Sequence, residues 1–158
     1  DACWLANDNA PGQIVIAGTP DGLDTALARA KELGVRRSMA LPVGGAFHTP
    51  LMNDAVAGLE TALRDLPLHE PTAPIVSNDD EHPYVDAEGW RERLARHVTR
   101  PVRWRGSMEA LQALGASVFL EIGHGSMIAG VAKRSVPDVA VHGIAVPEAI
   151  DNLGGAQS

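Results

Sequence analysis

Cysteine is nearly absent: Cys3 is the single one among 158 residues, so no disulfide can form within the chain. That usage fits a reducing, cytoplasmic setting. No apolar run approaches the ~20 residues that cross a bilayer as a helix, and no signal peptide is visible, so a membrane role is not expected. Basic residues are in deficit, with 13 Lys and Arg against 20 Asp and Glu, for a net charge of −7. Phosphate neutralisation needs clustered cations, which argues against a nucleic-acid binder. The six histidines show no H-x-x-x-H or H-E-x-x-H spacing, so no metal site is expected. A G-x-S-x-G nucleophile elbow is missing as well, and a complete Ser–His site cannot be assembled from this chain. The first residue is Asp1, and a strand-like segment follows at once. This reads as a chain that begins in mid-fold.

The residues present are those of a globular domain, 45% hydrophobic and 21% charged. ACWLA (2–6) and QIVIAG (13–18) read as strands around a dense turn signal, NDNAPG (7–12). A helix is predicted over 21–33, capped by Asp21, with Leu23, Ala26, Leu27, Ala30 and Leu33 on one face and Gly34 as its stop. RSMALPV (37–43) follows as a third strand. Strand, strand, helix, strand is the latter part of a ferredoxin-like unit. After the loop GGAFHTP (44–50) comes a helix whose stripe is Met52, Val56, Leu59, Leu63 and Leu66. APIVSN (73–78) reads as a short buried strand. Asp86 reads as the cap of a helix with Trp90, Leu94 and Val98 inward, and Pro101 as the first turn of another with Trp104, Met108 and Leu111 inward. SVFLEI (117–122), a helix at 126–134 and VAVHGIA (139–145) complete an alternating α/β pattern that suggests parallel layering. The terminal LGGAQS reads as frayed.

His48 is the first chemical candidate. An imidazole in a Gly-rich loop between strand and helix can act as general base for a hydroxyl nucleophile, or can be a hydrogen-bonded structural residue. GHGS (123–126), joining strand to helix, is either an anion-binding helix start or only a tight turn. Asn7 and Asn9 satisfy backbone groups as Asx turns, and Asn7 can alternatively face a cleft. Arg100, Arg103 and Arg105 form a basic cluster, either a solvated face or a docking point for an acidic partner. Trp4, Trp90 and Trp104 read as core anchors.

ANDNAPGQIVIAG (6–18), LPVGGAFHTPLM (41–52), PIVSN (74–78), RPVRW (100–104) and FLEIGHGSMIAGVAKR (119–134) come in the order of bacterial malonyl-CoA:acyl-carrier-protein transacylases. The chain resembles the C-terminal half of that family over nearly its whole length. The resemblance implies an α/β fold: a partial ferredoxin-like subdomain (1–43), then the C-terminal part of an α/β-hydrolase-like acyltransferase domain (44–158). It implies transfer of malonyl from coenzyme A to the phosphopantetheine thiol of acyl carrier protein through a serine acyl-enzyme, in fatty-acid synthesis. Malonyl-CoA is then a substrate, the phosphopantetheine belongs to the partner, and the enzyme has no cofactor of its own.

Residue by residue, His48 takes the place of the histidine that activates the serine. Phe47 takes that of the bulky residue which excludes a methyl group from the malonyl α-carbon, and Asn7 that of a cleft asparagine. His97 stands where the family often has glutamine, whose main-chain carbonyl orients the catalytic imidazole. His124 replaces the proline of an EIGPG turn. The serine elbow, the oxyanion-hole glutamine motif and the carboxylate-binding arginine have no counterpart in these residues. The competing expectations are an acyltransferase domain of a polyketide synthase, and a non-catalytic fragment or interaction module.

Overall fold

The computed structural model describes residues 2–150, and its elements follow one another in mixed α/β order. The first two strands, β1 (Cys3–Ala10) and β2 (Gln13–Gly18), form an antiparallel hairpin. The turn is only Pro11 and Gly12, the latter at φ 74°. The NDNA part of the expected turn is instead strand: Asn7 pairs with Val15 and Asp8 with Ile14. Pairing to a β-branched strand overrides the local turn preference of Asn and Asp. The register slips between Leu5 and Asn7 and again between Asp8 and Ala10, which bends β1 as bulges do.

Helix α1 (Pro20–Glu32) follows, and its cap is Thr19 rather than Asp21. Thr19 Oγ1 accepts from the Gly22 N–H at 3.2 Å and from the Ala2 N–H at 3.2 Å, so one hydroxyl ties the helix start to the head of the hairpin. The expected strand at 37–43 does not form; these residues run without regular structure and are exposed. A strand is stabilised by its ladder partner, and no neighbouring strand pairs with this segment among the described residues.

A 3-10 turn at Pro50–Met52 leads into α2 (Asn53–Arg64). The expected buried strand at 73–78 shrinks to β3 (Ile75–Val76), with Ile75 exposed, paired antiparallel to an unanticipated β4 (Pro83–Tyr84). Helix α3 (Trp90–Arg96) starts at Gly89 in the left-handed region and not at Asp86. Arg93 lies over the Tyr84 ring, 3.4 Å from its centroid. Arg91 donates to the Leu63 and Leu66 carbonyls at 3.0 and 2.6 Å, closing the free end of α2 onto α3.

Helix α4 (Trp104–Ala113) begins at Trp104; Pro101 precedes it in an extended link. The parallel layering appears in β5 (Val118–Ile122) and β6 (Ala140–Ile144), joined through α5 (Met127–Ser135). Here the core is densest: Met108, Ala132, Val136 and Val139 are buried, with Trp104, Leu111, Phe119 and Val141 packed on them. The opposite face of β5 is bare, with Val118, Leu120 and Ile122 all exposed. The expectation of a frayed LGGAQS end falls on residues 153–158, outside the described residues.

Candidate active site

The GGAFH loop is held from its far end. Thr49 is fully buried; its Oγ1 donates to the Ala46 carbonyl at 2.6 Å and accepts from the Leu51 N–H at 3.3 Å. Just before it, His48 sits at φ 64°, a left-handed conformation costing a non-glycine residue about 1–3 kcal/mol. Two bonds to the chain after α3 offset that cost. The His48 N–H donates to the Val98 carbonyl at 2.9 Å, and Nδ1 lies 2.8 Å from the His97 carbonyl oxygen.

A carbonyl only accepts, so Nδ1 carries the proton in this bond. In the neutral ring that leaves the lone pair on Nε2, on a half-buried side chain. Such a nitrogen can take a proton from an alcohol and return it to a leaving group. The strand expected before this loop is not there, so the left-handed turn and two carbonyls position the imidazole, not a strand end.

His97 offers His48 its main chain and turns its side chain elsewhere. Its Nε2 lies 3.3 Å from Ser77 Oγ and 3.5 Å from Asp79 Oδ1. The Ser77 hydroxyl spends its proton on Asp79 Oδ1 at 2.5 Å, and Arg96 Nε donates to Asp79 Oδ2 at 2.5 Å. Arg96 also reaches Asp80 at 3.2 Å. The Asp79 side chain is only 5% exposed. Burial alone would raise its carboxyl, but the Arg96 guanidinium, the Ser77 hydroxyl and the nearby His97 ring together hold it below its ordinary value. These residues are not a second nucleophilic triad. Ser77 is 1% exposed, its proton is committed to the carboxylate, and both groups face the same ring nitrogen. The sequence reading missed this cluster; an acidic pair (79–80) 17 residues from an Arg-His pair (96–97) has no recognisable spacing.

Phe47 is 47% exposed, with its ring standing over Gly45. A Cβ at Gly45 would come within 3.2 Å of that ring, so the glycine leaves room for it. Asn7 belongs to strand β1, not to an Asx turn, and so does Asn9. Asn7 forms a parallel bridge with Val102, beside the bonds Asp8 N–H to Val102 carbonyl (2.9 Å) and Val102 N–H to Ala6 carbonyl (2.8 Å). It lines a cavity of about 190 Å³ with Gln13, Val102, Trp104, Met127 and Val131. Neither Phe47 nor His48 lines that cavity. The structure therefore brings His48 and His97 into direct contact, and links Asn7 to the same chain segment, a few residues on, through backbone.

The anion-binding alternative for GHGS is closed. The Glu121 carboxylate accepts from the Ile128 N–H at 3.1 Å and the Ala129 N–H at 2.9 Å, filling the start of α5 from within the chain. Of the basic cluster, Arg105 donates twice to Asp8 Oδ2, at 3.1 and 2.8 Å, and Arg103 lies 4.0 Å from Glu81. Arg100 and Arg103 are exposed, and Arg105 is half-buried. Among the described residues, no three His, Cys, Asp or Glu side chains are grouped to hold a metal ion, and no helix is long and apolar enough to cross a membrane.

No protein-family model matches the chain. It is 35% identical over 149 residues to the malonyl CoA-acyl carrier protein transacylase of Synechocystis sp., covering 94% of this chain and 50% of that protein. The acyl-carrier-protein S-malonyltransferase of Bartonella henselae superposes with a TM-score of 0.90 at 34% identity, over 96% of this chain and 48% of that one. A malonyl-transacylase solved in complex with a type II polyketide acyl-carrier protein superposes with a TM-score of 0.89 at 31% identity, over 97% and 50%. The chain spans about half the length of the relatives it matches. Over that half, it resembles bacterial malonyl-CoA:acyl-carrier-protein transacylases in both sequence and α/β fold.

Proposed function

We propose that this chain is the C-terminal half of a malonyl-CoA:acyl-carrier-protein transacylase in which His48 is the general base for a serine carried by the other half. The observation that carries this reading is the 2.8 Å bond from His48 Nδ1 to the His97 carbonyl. In the neutral ring it leaves the lone pair on Nε2, the form a base needs. In the first half-reaction Nε2 takes the serine proton as the hydroxyl attacks the malonyl thioester, and coenzyme A leaves as its thiol. In the second, the phosphopantetheine thiol of acyl carrier protein attacks the malonyl-serine ester, and the serine regains its proton.

Phe47 is assigned to the malonyl α-carbon, where a bulky ring excludes an extra methyl group. Asn7 is assigned to the cleft wall. The boundary between a small subdomain (1–43) and the large domain (44–158) belongs to the same reading, as does a cytoplasmic enzyme without a resident cofactor. The bare apolar face of β5, with Val118, Leu120 and Ile122 exposed, supports a chain whose fold continues in a larger acyltransferase domain. A parallel strand pair is ordinarily covered on both faces.

A second reading, malonyl loading for polyketide synthesis, has its own support in the similarity to a malonyl-transacylase solved with a polyketide carrier protein. The two readings share the chemistry at His48 and differ only in the carrier. The test is malonyl transfer from malonyl-CoA to purified fatty-acid and polyketide carrier proteins, by this chain alone and by this chain joined to its upstream coding sequence. Transfer by the joined protein but not by residues 1–158 alone is expected. Turnover by residues 1–158 alone would contradict the assignment of the nucleophile to the other half.

A further inference from the structure

His48 draws on two consecutive carbonyls, those of His97 and Val98, through its ring and its own N–H. Those carbonyls follow the last residue of α3: the His97 N–H still bonds to the Arg93 carbonyl and the Thr99 N–H to the Arg96 carbonyl, both at 3.0 Å, but the His97 and Val98 carbonyls themselves have no partner within the helix. A second anchor lies on the opposite side of the chain. The side chains of two successive residues, Arg96 and His97, converge on one carboxylate: Arg96 Nε on Asp79 Oδ2 at 2.5 Å, and His97 Nε2 beside Asp79 Oδ1 and Ser77 Oγ at 3.5 and 3.3 Å. Asp79 lies in the connection of the β3–β4 hairpin, whose backbone is itself tied, with the Ser77 N–H on the His82 carbonyl at 3.0 Å and the Glu81 N–H on the Ser77 carbonyl at 2.8 Å. The Asn78 carbonyl accepts from the Arg103 N–H at 2.7 Å, closing the 96–103 segment from its other end.

We propose that Asp79 is a positioning residue for His48: by clamping the Arg96 and His97 side chains, it aims the His97 and Val98 carbonyls that hold the imidazole with Nε2 free. This rests on the reading of His48 as a base, but its test does not need turnover. A buried carboxylate bridging a guanidinium and an imidazole is costly to desolvate, so a hydrophobic filler would serve mere packing at least as well. Its position, one residue contact removed from the active imidazole, gives it a use. Loss of the clamp lets the segment after α3 rotate, and the Nδ1–H to carbonyl bond loses its fixed acceptor.

The experiment is ¹⁵N–¹H correlation NMR of the imidazoles in this 158-residue chain, with His48 assigned by its absence in His48→Gln. In the wild-type chain His48 is expected as a single Nδ1–H tautomer. In Asp79→Ala, and in the milder Asp79→Asn and Ser77→Ala, the Nε2–H tautomer that predominates in free imidazole is expected to appear, in the order Ala greater than Asn. All measurements are made well below each variant's melting temperature. Residual Nδ1–H purity in every folded variant, with only a lowered melting temperature, would overturn the proposal, because a purely structural role lowers stability without moving a tautomer. Should Asp79→Ala not fold, Asp79→Asn and Ser77→Ala decide the matter on the same readout. Failure of the joined protein to transfer malonyl would instead count against the function and leave this result intact.

Discussion

His48 Nδ1 and the His97 main-chain oxygen stand 2.8 Å apart although 49 residues separate them in sequence. This contact selects the tautomer of the neutral imidazole, because the acceptor-only carbonyl accepts from Nδ1–H and the lone pair is left on Nε2. The side chain of His97 takes no part in that bond itself and only anchors the main chain that makes it. What the bond does need is a fixed main chain, which makes the substitution of histidine for the family's common glutamine compatible with the site.

Replacing His97 separates these two roles. In the joined protein, His97→Gln is expected to retain transfer within a few-fold, since the carbonyl remains. His97→Gly is expected to lose considerably more, because the side-chain anchor disappears and the backbone is loosened. Steady-state kcat on malonyl-CoA measures both; equal losses in the two variants would show that the ring itself takes part.

Acid tests the Asp79 cluster. The folded carboxyl titrates below its ordinary value of 3.8, so the stability it contributes is complete above about pH 4 and is lost as the pH falls through the lower folded value. Wild type and Asp79→Asn should therefore differ most in urea midpoint at pH 5 to 6 and converge toward pH 3. A gap that stays constant down to pH 3 would mean that Asp79 acts by shape and not by charge.

Glu121 gives a stability prediction at the start of α5. Its two bonds to the Ile128 and Ala129 N–H groups replace an ordinary cap, so Glu121→Ala should cost about 1 kcal/mol, or roughly 2–4 °C in melting temperature. The same variant uncovers the helix start, and phosphate should then raise its melting temperature more than that of wild type. An unchanged melting temperature in Glu121→Ala would show that water caps the helix equally well.

Two helical glycines should respond oppositely to alanine. A Cβ at Gly22 would overlap the Ala2 backbone, whereas at Gly58, inside α2, it meets nothing within 4 Å. Gly58→Ala should stabilise by about 0.5–1 kcal/mol, while Gly22→Ala should lower the melting temperature markedly by prising α1 from the hairpin. Equal effects of both substitutions in a thermal melt would contradict the close approach of helix and strand.

The elements legible in the sequence were those with strong local periodicity. Helix α1, the stripe of α2, the Trp104–Met108–Leu111 face and the β5–α5–β6 unit all follow from apolar spacing; the Trp104–Met108–Leu111 face packs into the core, whereas Leu27 and Leu33 of the face expected for α1 and Leu66 of the α2 stripe stay exposed. Segments whose state depends on a partner were not legible. NDNA looks like a turn but pairs with Val15 and Ile14; RSMALPV looks like a strand but has nothing to pair with. Capping went astray for a related reason: Asp21 and Asp86 are good caps by type, but Thr19 reaches both Gly22 and Ala2, and a left-handed Gly89 starts α3. At the site, His48 was visible through its loop. The Ser77–Asp79–Arg96–His97 cluster joins residues about twenty apart, through contacts that no short motif encodes.

Phe47 carries the specificity expectation. With the ring replaced by a small side chain, Phe47→Ser in the joined protein should raise methylmalonyl-CoA turnover relative to malonyl-CoA, by about 10-fold or more if one methyl group is what the ring excludes. An unaltered ratio in a competition assay would remove the steric role.

The most direct measurement of the central claim is the pre-steady-state burst of malonyl-serine formation in the joined protein carrying His48→Ala. A general base is worth about 10²-fold or more, so the burst rate should fall by at least that factor while malonyl-CoA still binds. A burst at the wild-type rate would show that Nε2 of His48 accepts no proton from the nucleophile.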